Sequence, residues 1–130
     1  MIFDGLIRIQ NGYIGDHKSV VILGSKFMQN ILLILRSEGL IQGFSVFNGN
    51  GNIKVLLNRA IMLRIKFISK DSCRKFVSYR GVCKKYVSSR NISVVSTSCG
   101  LYTSKFITIN RLGIGGELLF DIYVSNRVLS

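Results

Sequence analysis

The sequence predicts an α+β protein built as two small α/β lobes, residues 1–60 ordered α-β-α-β-β and residues 61–130 mostly β with a short helix. Three patterns lead there. Apolar residues recur at helical spacing in two N-terminal stretches, alternate with polar ones at 63–67, and alternate again along 118–124. At 130 residues, 48% of them hydrophobic, the chain can bury a core as one domain or two very small ones.

Ile2, Phe3, Leu6, Ile9 and Tyr13 place a helix over 2–13, with Asn11-Gly12 as its stop. Val20-Val21-Ile22-Leu23 reads as a short, buried strand. Ser25 is a natural N-cap for a helix over 26–38 that buries Phe27, Ile31, Ile34 and Leu35 and ends at Gly39. Strands over 40–47 and 53–58 follow, around a stretch whose Asn48-Gly49 and Asn50-Gly51 pairs suggest a hairpin. Beyond it, Leu63-Arg64-Ile65-Lys66-Phe67 alternates with a basic outer face. Residues 92–95 form a strand running into Ser96-Thr97-Ser98-Cys99-Gly100, and a short helical turn starts near Thr103. Gly113-Ile114-Gly115-Gly116-Glu117 then leads into a last strand, with Leu118, Phe120, Ile122 and Val124 on one face and Glu117, Leu119, Asp121 and Tyr123 on the other.

Charge narrows the function. Eighteen Lys and Arg against six acids give +12, which predicts attraction to a polyanion, nucleic acid ahead of an acidic membrane surface. From 59 to 90 there are ten basic residues and one acid, Asp71, with Phe76, Tyr79 and Tyr86 interleaved. An unopposed excess of this kind with aromatics suits phosphates and bases better than it suits a merely solvated face. No apolar run nears the roughly 20 residues that span a bilayer. The start, Met1-Ile2-Phe3-Asp4, has the pattern of neither a signal nor a transit peptide. Cys73, Cys83 and Cys99 are odd in number without a C-x-x-C pair, so neither a disulfide framework nor a zinc site is implied, and a reducing compartment follows. Proline is absent while Ile, Phe, Asn, Lys, Ser and Tyr abound, the bias of an A/T-rich genome such as an organelle's.

Several local patterns resemble catalytic sites and read better otherwise. Gly24-Ser25-Lys26 has Ser between Gly and Lys, so it is a helix cap with a basic first turn, not a phosphate-binding P-loop. Gly113-x-Gly115-Gly116 precedes a strand where a dinucleotide loop would precede a helix, and reads as a tight turn allowing close backbone approach. Cys99 would need a base to act as nucleophile, and His17, the single histidine, sits beside Asp16 in a polar loop. The six acids are scattered, so paired carboxylates do not stand out. The chain is expected not to be an enzyme and to need no cofactor or small-molecule substrate.

Ser96-Thr97-Ser98-x-Gly100 followed by Gly115-Gly116-Glu117-Leu118-Leu119 resembles the C-terminal signature of the small-subunit ribosomal protein S-eight family. Ile7-Arg8-Ile9-x-Asn11-Gly12 is similar to its R-I-R-N-G, Ser25-Lys26 with Glu38-Gly39-Leu40-Ile41 to its S-K…E-G-F-I, and Ile68-Ser69-Lys70 with Arg74 to its I-S-K-P-G-R-R-V-Y. The motifs fall in order over nearly the whole chain. The resemblance implies two lobes, the second binding the central domain of small-subunit rRNA, with neighbouring small-subunit proteins as further partners and no membrane. It carries RNA contact onto Arg8, Lys26, Lys70, Arg74, Ser96, Thr97, Ser98, Gly100, Gly115, Gly116 and Glu117; the basic stretch adds Arg64, Lys66, Lys75 and Phe76. Glu117 is expected to hydrogen-bond loop hydroxyls or amides and orient them from behind, since an acid facing phosphate would be repelled. The chain departs from the family at Asp71-Ser72 for Pro-Gly, Phe76 for Tyr and Cys99 for Lys, the last removing a phosphate partner. The organellar bias points to a mitochondrial ribosome ahead of a plastid one. The rival reading, a basic peripheral membrane-surface protein, would need an amphipathic helix with Lys on one face.

Overall fold

Twelve elements follow one another in a computed structural model that describes residues 4–47, 51–70, 72–89 and 91–126. Expectations resting on Ile2 and Phe3, on the hairpin residues Asn48, Gly49 and Asn50, on Asp71 and on Arg90 lie outside those residues. Two compact units emerge, Met1–Arg64 with Val124–Ser130, and Ile65–Tyr123. The mixed α+β class is the one the sequence predicts.

In the first unit, α1 (Asp4–Ile14) buries Leu6, Ile9 and Tyr13. The expected stop at Asn11-Gly12 is wrong. Gly12 lies inside the helix, where a Cβ would come within 2.6 Å of Val20 Cγ1, so this glycine serves close packing and does not end the helix. The chain turns later, at Asp16, with φ 57°. β1 (Ser19–Leu23), α2 (Lys26–Ser37), β2 (Ile41–Val46) and β3 (Asn52–Leu57) complete the expected order, with β3 central in an antiparallel β1-β3-β2 sheet. β1 is therefore an edge strand, not a buried one; only Ile22 is fully covered, while Leu23 is 79% exposed. Ser25 caps α2 as predicted, its hydroxyl accepting from the Met28 amide at 3.1 Å, and Gly39 follows the helix at φ +75°. The buried stripe of α2 is Met28, Ile31, Leu32 and Leu35, so Phe27 and Ile34 flank the core where they were expected within it. The buried Tyr13 phenol donates to the Leu40 carbonyl and accepts from the Asn58 amide, tying the end of α1 to the sheet's strand ends.

The second sheet runs β4-β8-β6-β7, with β4 at Ile61–Phe67, β6 at Ile92–Thr97, β7 at Gly100–Thr103 and β8 at Gly116–Asn126; the two-residue β5 (Phe76–Val77) pairs with the start of β8. Two helices accompany it. α4 (Ser104–Ile109), capped by Thr103, is the expected short helix. α3 (Tyr79–Ser88), capped by Ser78, was not foreseen, because its apolar positions are few and its cations many. It carries Arg80, Lys84 and Lys85, so part of the basic stretch is helical. Val82 of α3 and Ile107 of α4 pack with Val95 and Leu118 of the sheet, flanked by Ile68, Val77, Tyr79, Tyr102 and Leu112.

β8 does not keep the two-faced alternation expected of it: Leu118, Leu119, Phe120, Asp121 and Ile122 are all buried. The register explains why. Val94 faces Phe120 and Val95 faces Leu118, so Leu119 is an inserted residue, and the bulge turns Leu118 toward the same face as Asp121. The Leu119 carbonyl accepts from both the Ile68 and Ser69 amides, at 3.0 and 3.2 Å. Asp121 is a buried charged group in this interior; Ser93 Oγ donates to it at 2.7 Å and Lys85 Nζ of α3 at 2.9 Å. A buried carboxylate is tolerable only when so supplied with donors.

Candidate nucleic-acid interface

The register of the second sheet collects several predicted residues into one row. Phe76 of β5 faces Glu117 of β8, and Glu117 faces Ser96 of β6. Paired residues on antiparallel strands point to the same side, so this row shares a face. Gly115 and Gly116 make the row possible. A Cβ on Gly115 would sit 2.1 Å from the Val77 carbonyl oxygen, and one on Gly116 2.1 Å from that of Ser96. The start of β8 is thus held between β5 and β6 by two backbone approaches that any side chain would block, which is the close approach foreseen for this turn.

Glu117 does not do what the sequence reading assigned to it. Its carboxylate accepts from Arg74 Nε and Nη2 at 3.2 and 2.8 Å, a bidentate pair, where loop hydroxyls or amides were expected. The Glu117 side chain is 12% exposed and that of Arg74 64%, so the acid is covered and the cation faces outward. The Arg74 guanidinium also lies 5.9 Å from the Phe76 ring centroid. The arrangement is a fixed cationic and aromatic surface, with the acid spent on orienting it. Beside it, the buried Ser69 hydroxyl accepts from the Lys75 amide at 2.9 Å and donates to the Leu118 carbonyl at 2.7 Å, joining the 69–75 segment to β8. Ser69 had been noticed only as part of a motif; a serine before a basic turn gives no sign of burial in the sequence.

The pair has a pH signature. Arg74 holds the Glu117 carboxyl below its ordinary value of 4.5, outweighing the opposite push of burial. A carboxyl lowered in the folded state adds stability above its unfolded value, and that contribution disappears as pH falls through the folded value. Glu117→Gln should therefore unfold at a lower temperature than wild type at neutral pH, with the gap narrowing as pH falls from neutral to below the carboxyl's ordinary value of 4.5. Thermal midpoints measured across that range check this; a constant gap would mean that the pair contributes nothing through charge.

The hydroxyl loop is the tight connection between β6 and β7, with Thr97 facing Gly100. Thr97 Oγ1 donates to the Gly100 carbonyl at 2.8 Å and accepts from the Cys99 amide at 3.1 Å, so this hydroxyl, onto which the resemblance carried RNA contact, builds the turn. Gly100 takes φ +129°. Ser98 and Cys99 are exposed at the tip and Ser96 is half-buried in the row. Lys75 and Phe76 are exposed next to Arg74, Phe76 by 69%, and Lys70 is exposed where its backbone bridges Cys73. Lys66 projects from β4.

Other predicted contacts belong to the first unit. Arg8 is exposed on α1, donating to the Val21 carbonyl at 3.3 Å and lining an open cavity with Asn11, His17 and Ser19. Lys26 is exposed in the first turn of α2, and Arg64 is exposed near the start of β4. The basic stretch is less unopposed than its composition suggests: Arg59 pairs with Asp16, Arg74 with Glu117 and Lys85 with Asp121. Sequence separations of 43, 43 and 36 residues hid these pairs.

The model of the family described as "Ribosomal protein S8" matches residues 1–123. A protein named small ribosomal subunit protein uS8 from Geotalea uraniireducens (strain Rf4) is 34% identical over 129 residues, covering 94% of this chain and 96% of its own. One of the same name from Protochlamydia amoebophila (strain UWE25) is 33% identical, and one named small ribosomal subunit protein uS8c from Thalassiosira pseudonana is 32% identical, both with the same coverage. With motifs, element order and full-length similarity in agreement, the chain belongs to the ribosomal protein S8 family.

Proposed function

We propose that this chain is a structural, non-catalytic component of a ribosomal small subunit, and that its second unit grips the central domain of small-subunit rRNA. The observation that carries the reading is the Arg74–Glu117 pair laid beside exposed Phe76, in a row with Ser96 and next to the Ser98–Cys99 tip. Arg74, Lys70, Lys75 and Lys66 neutralise phosphates, Phe76 offers a stacking face, and Ser96 and Ser98 reach riboses and the 2′-OH. Gly100, Gly115, Gly116, Thr97 and Glu117 act by shaping that surface. Arg8, Lys26 and Arg64 add phosphate contacts, and neighbouring small-subunit proteins complete the environment.

We also place the particle in a mitochondrion. The support is the proline-free, Ile-, Asn- and Lys-rich composition of an A/T-rich genome; the bacterial relatives named above are what an organellar branch would resemble. Co-sedimentation of the tagged chain with the small subunit from purified mitochondria, and not with cytosolic or plastid particles, tests it.

Affinity for a central-domain rRNA transcript should fall steeply with salt. With about five phosphates neutralised, the log–log slope should be near −4 to −5. A slope near zero would remove the electrostatic basis of the proposal. The membrane-surface alternative gains nothing from α3, whose Val82 and Tyr79 pack against the sheet.

A further inference from the structure

Next to the hydroxyl turn, Tyr102 of β7 and Phe106 of α4 form a parallel aromatic pair, centroids 5.1 Å apart and planes within 4°. The two rings have different employments. Tyr102 packs on the Val82, Val95, Ile107 and Leu118 core and its hydroxyl donates to the Cys99 carbonyl at 3.4 Å, so its plane is fixed from below and from the turn. Phe106 is 46% exposed and is not among the side chains covering that core. Nearly half of it is open to water, and its neighbour in sequence, Lys105, is exposed.

We propose that Tyr102 and Phe106 are a stacking platform for one unpaired nucleobase of the bound rRNA, with Phe106 as the contacting ring. The inference rests on the rRNA-binding reading above and adds a site to it. A ring kept flat by a second ring behind it pre-orients the surface that a base needs. Stacking is tolerant of base identity, because every base has a π-face, but it demands a base free of its helix. Lys105 supplies a cation for the adjoining phosphate, and the exposed Ser98 hydroxyl lies on the tip whose carbonyl Tyr102 engages. An apolar plane set among a cation and hydroxyls suits a nucleotide better than it suits a greasy protein patch.

The test uses the full chain and a transcript of the central domain of small-subunit rRNA from the same genome. Phe106→Leu keeps an apolar side chain but removes the plane; Phe106→Trp keeps and enlarges it. The Leu variant should bind about five- to hundredfold more weakly, with its thermal midpoint unchanged. The Trp variant should bind as wild type does. Because the chain has no tryptophan of its own, that indole is a sole reporter, and its emission should be quenched when the RNA binds. Equal affinity of wild type and Phe106→Leu, or unquenched emission in a saturated Phe106→Trp complex, would overturn the platform and leave the ribosomal reading standing. If wild type does not bind the transcript at all, the rRNA-binding reading fails and the platform fails with it.

Discussion

Gly116→Ala is expected to unfold the second unit outright or destabilise it by at least about 3 kcal/mol, the upper end of the usual range for overpacking. The new methyl would lie 2.1 Å from the Ser96 carbonyl oxygen, 2.9 Å from its carbon and 3.1 Å from Thr97 Cα. All three are backbone atoms, so no rotamer change relieves the clash and β8 must move away from β6. At roughly 4–8 °C per kcal/mol for a unit of this size, the melting transition should fall by more than about 10 °C. Gly43→Ala is the control, since a Cβ there meets nothing within 4 Å; its midpoint should stay near wild type. Calorimetry on the two variants decides the matter. Equal midpoints would show that the strands separate at no cost and that the paired glycines serve some other purpose.

Lys85→Met should cost up to about 3 kcal/mol, the low end of the usual penalty for stranding one partner of a buried ion pair, because the Lys85 side chain is itself 27% exposed. Methionine preserves most of the stem that packs along α3, but the Asp121 carboxylate, 3% exposed, loses its cation and is left with Ser93 Oγ donating to it at 2.7 Å. Adding Asp121→Asn should recover much of the loss, because the stranded charge disappears while the Ser93 contact can persist. Urea unfolding of wild type, the single variants and the double variant provides the cycle. Additive losses would show that lysine and aspartate do not sense each other, and the tether between α3 and the sheet would have to lie elsewhere.

Much of this architecture was legible because local chemistry agreed with it. Ser25 before an apolar helical stripe, and Thr103 before a short helix, are cap residues whose hydroxyls do what their type suggests. The alternation at 63–67 and the close backbone approach at Gly115 and Gly116 also carried through. What stayed hidden was set by long-range packing. Gly12 looks like a helix stop until Val20 is brought against it. α3 has too few apolar positions to announce itself, because one buried residue, Val82, anchors it to a sheet that the local sequence does not contain. The bulge at Leu119 breaks a regular alternation because the Ile68 and Ser69 amides both need its carbonyl. At the candidate interface, the partner of Glu117 is a cation 43 residues earlier that residue type had marked only as an RNA contact.

The place of β8 has a consequence for how the chain comes into being. Among the described residues it is the last element in sequence, and it is an interior strand of its sheet, between β4 and β6 and also touching β5. During synthesis, β6 and β7 can pair with each other and meet both accompanying helices, whereas β4 and β5 emerge before the one strand that joins them to this sheet. Domains otherwise tend to fold as their residues appear, N-terminal parts first. The second unit must instead wait until residues 116–126 are available, whereas β1, β2 and β3 can pair as soon as the first 57 residues are out. Ribosome-stalled chains ending near residue 112 should accordingly protect the first sheet from protease and leave 65–77 open to cleavage. Release of the last strand then acts as the moment at which the surface around Arg74, Phe76 and Ser96 comes into existence, so an incomplete chain presents no such surface to RNA.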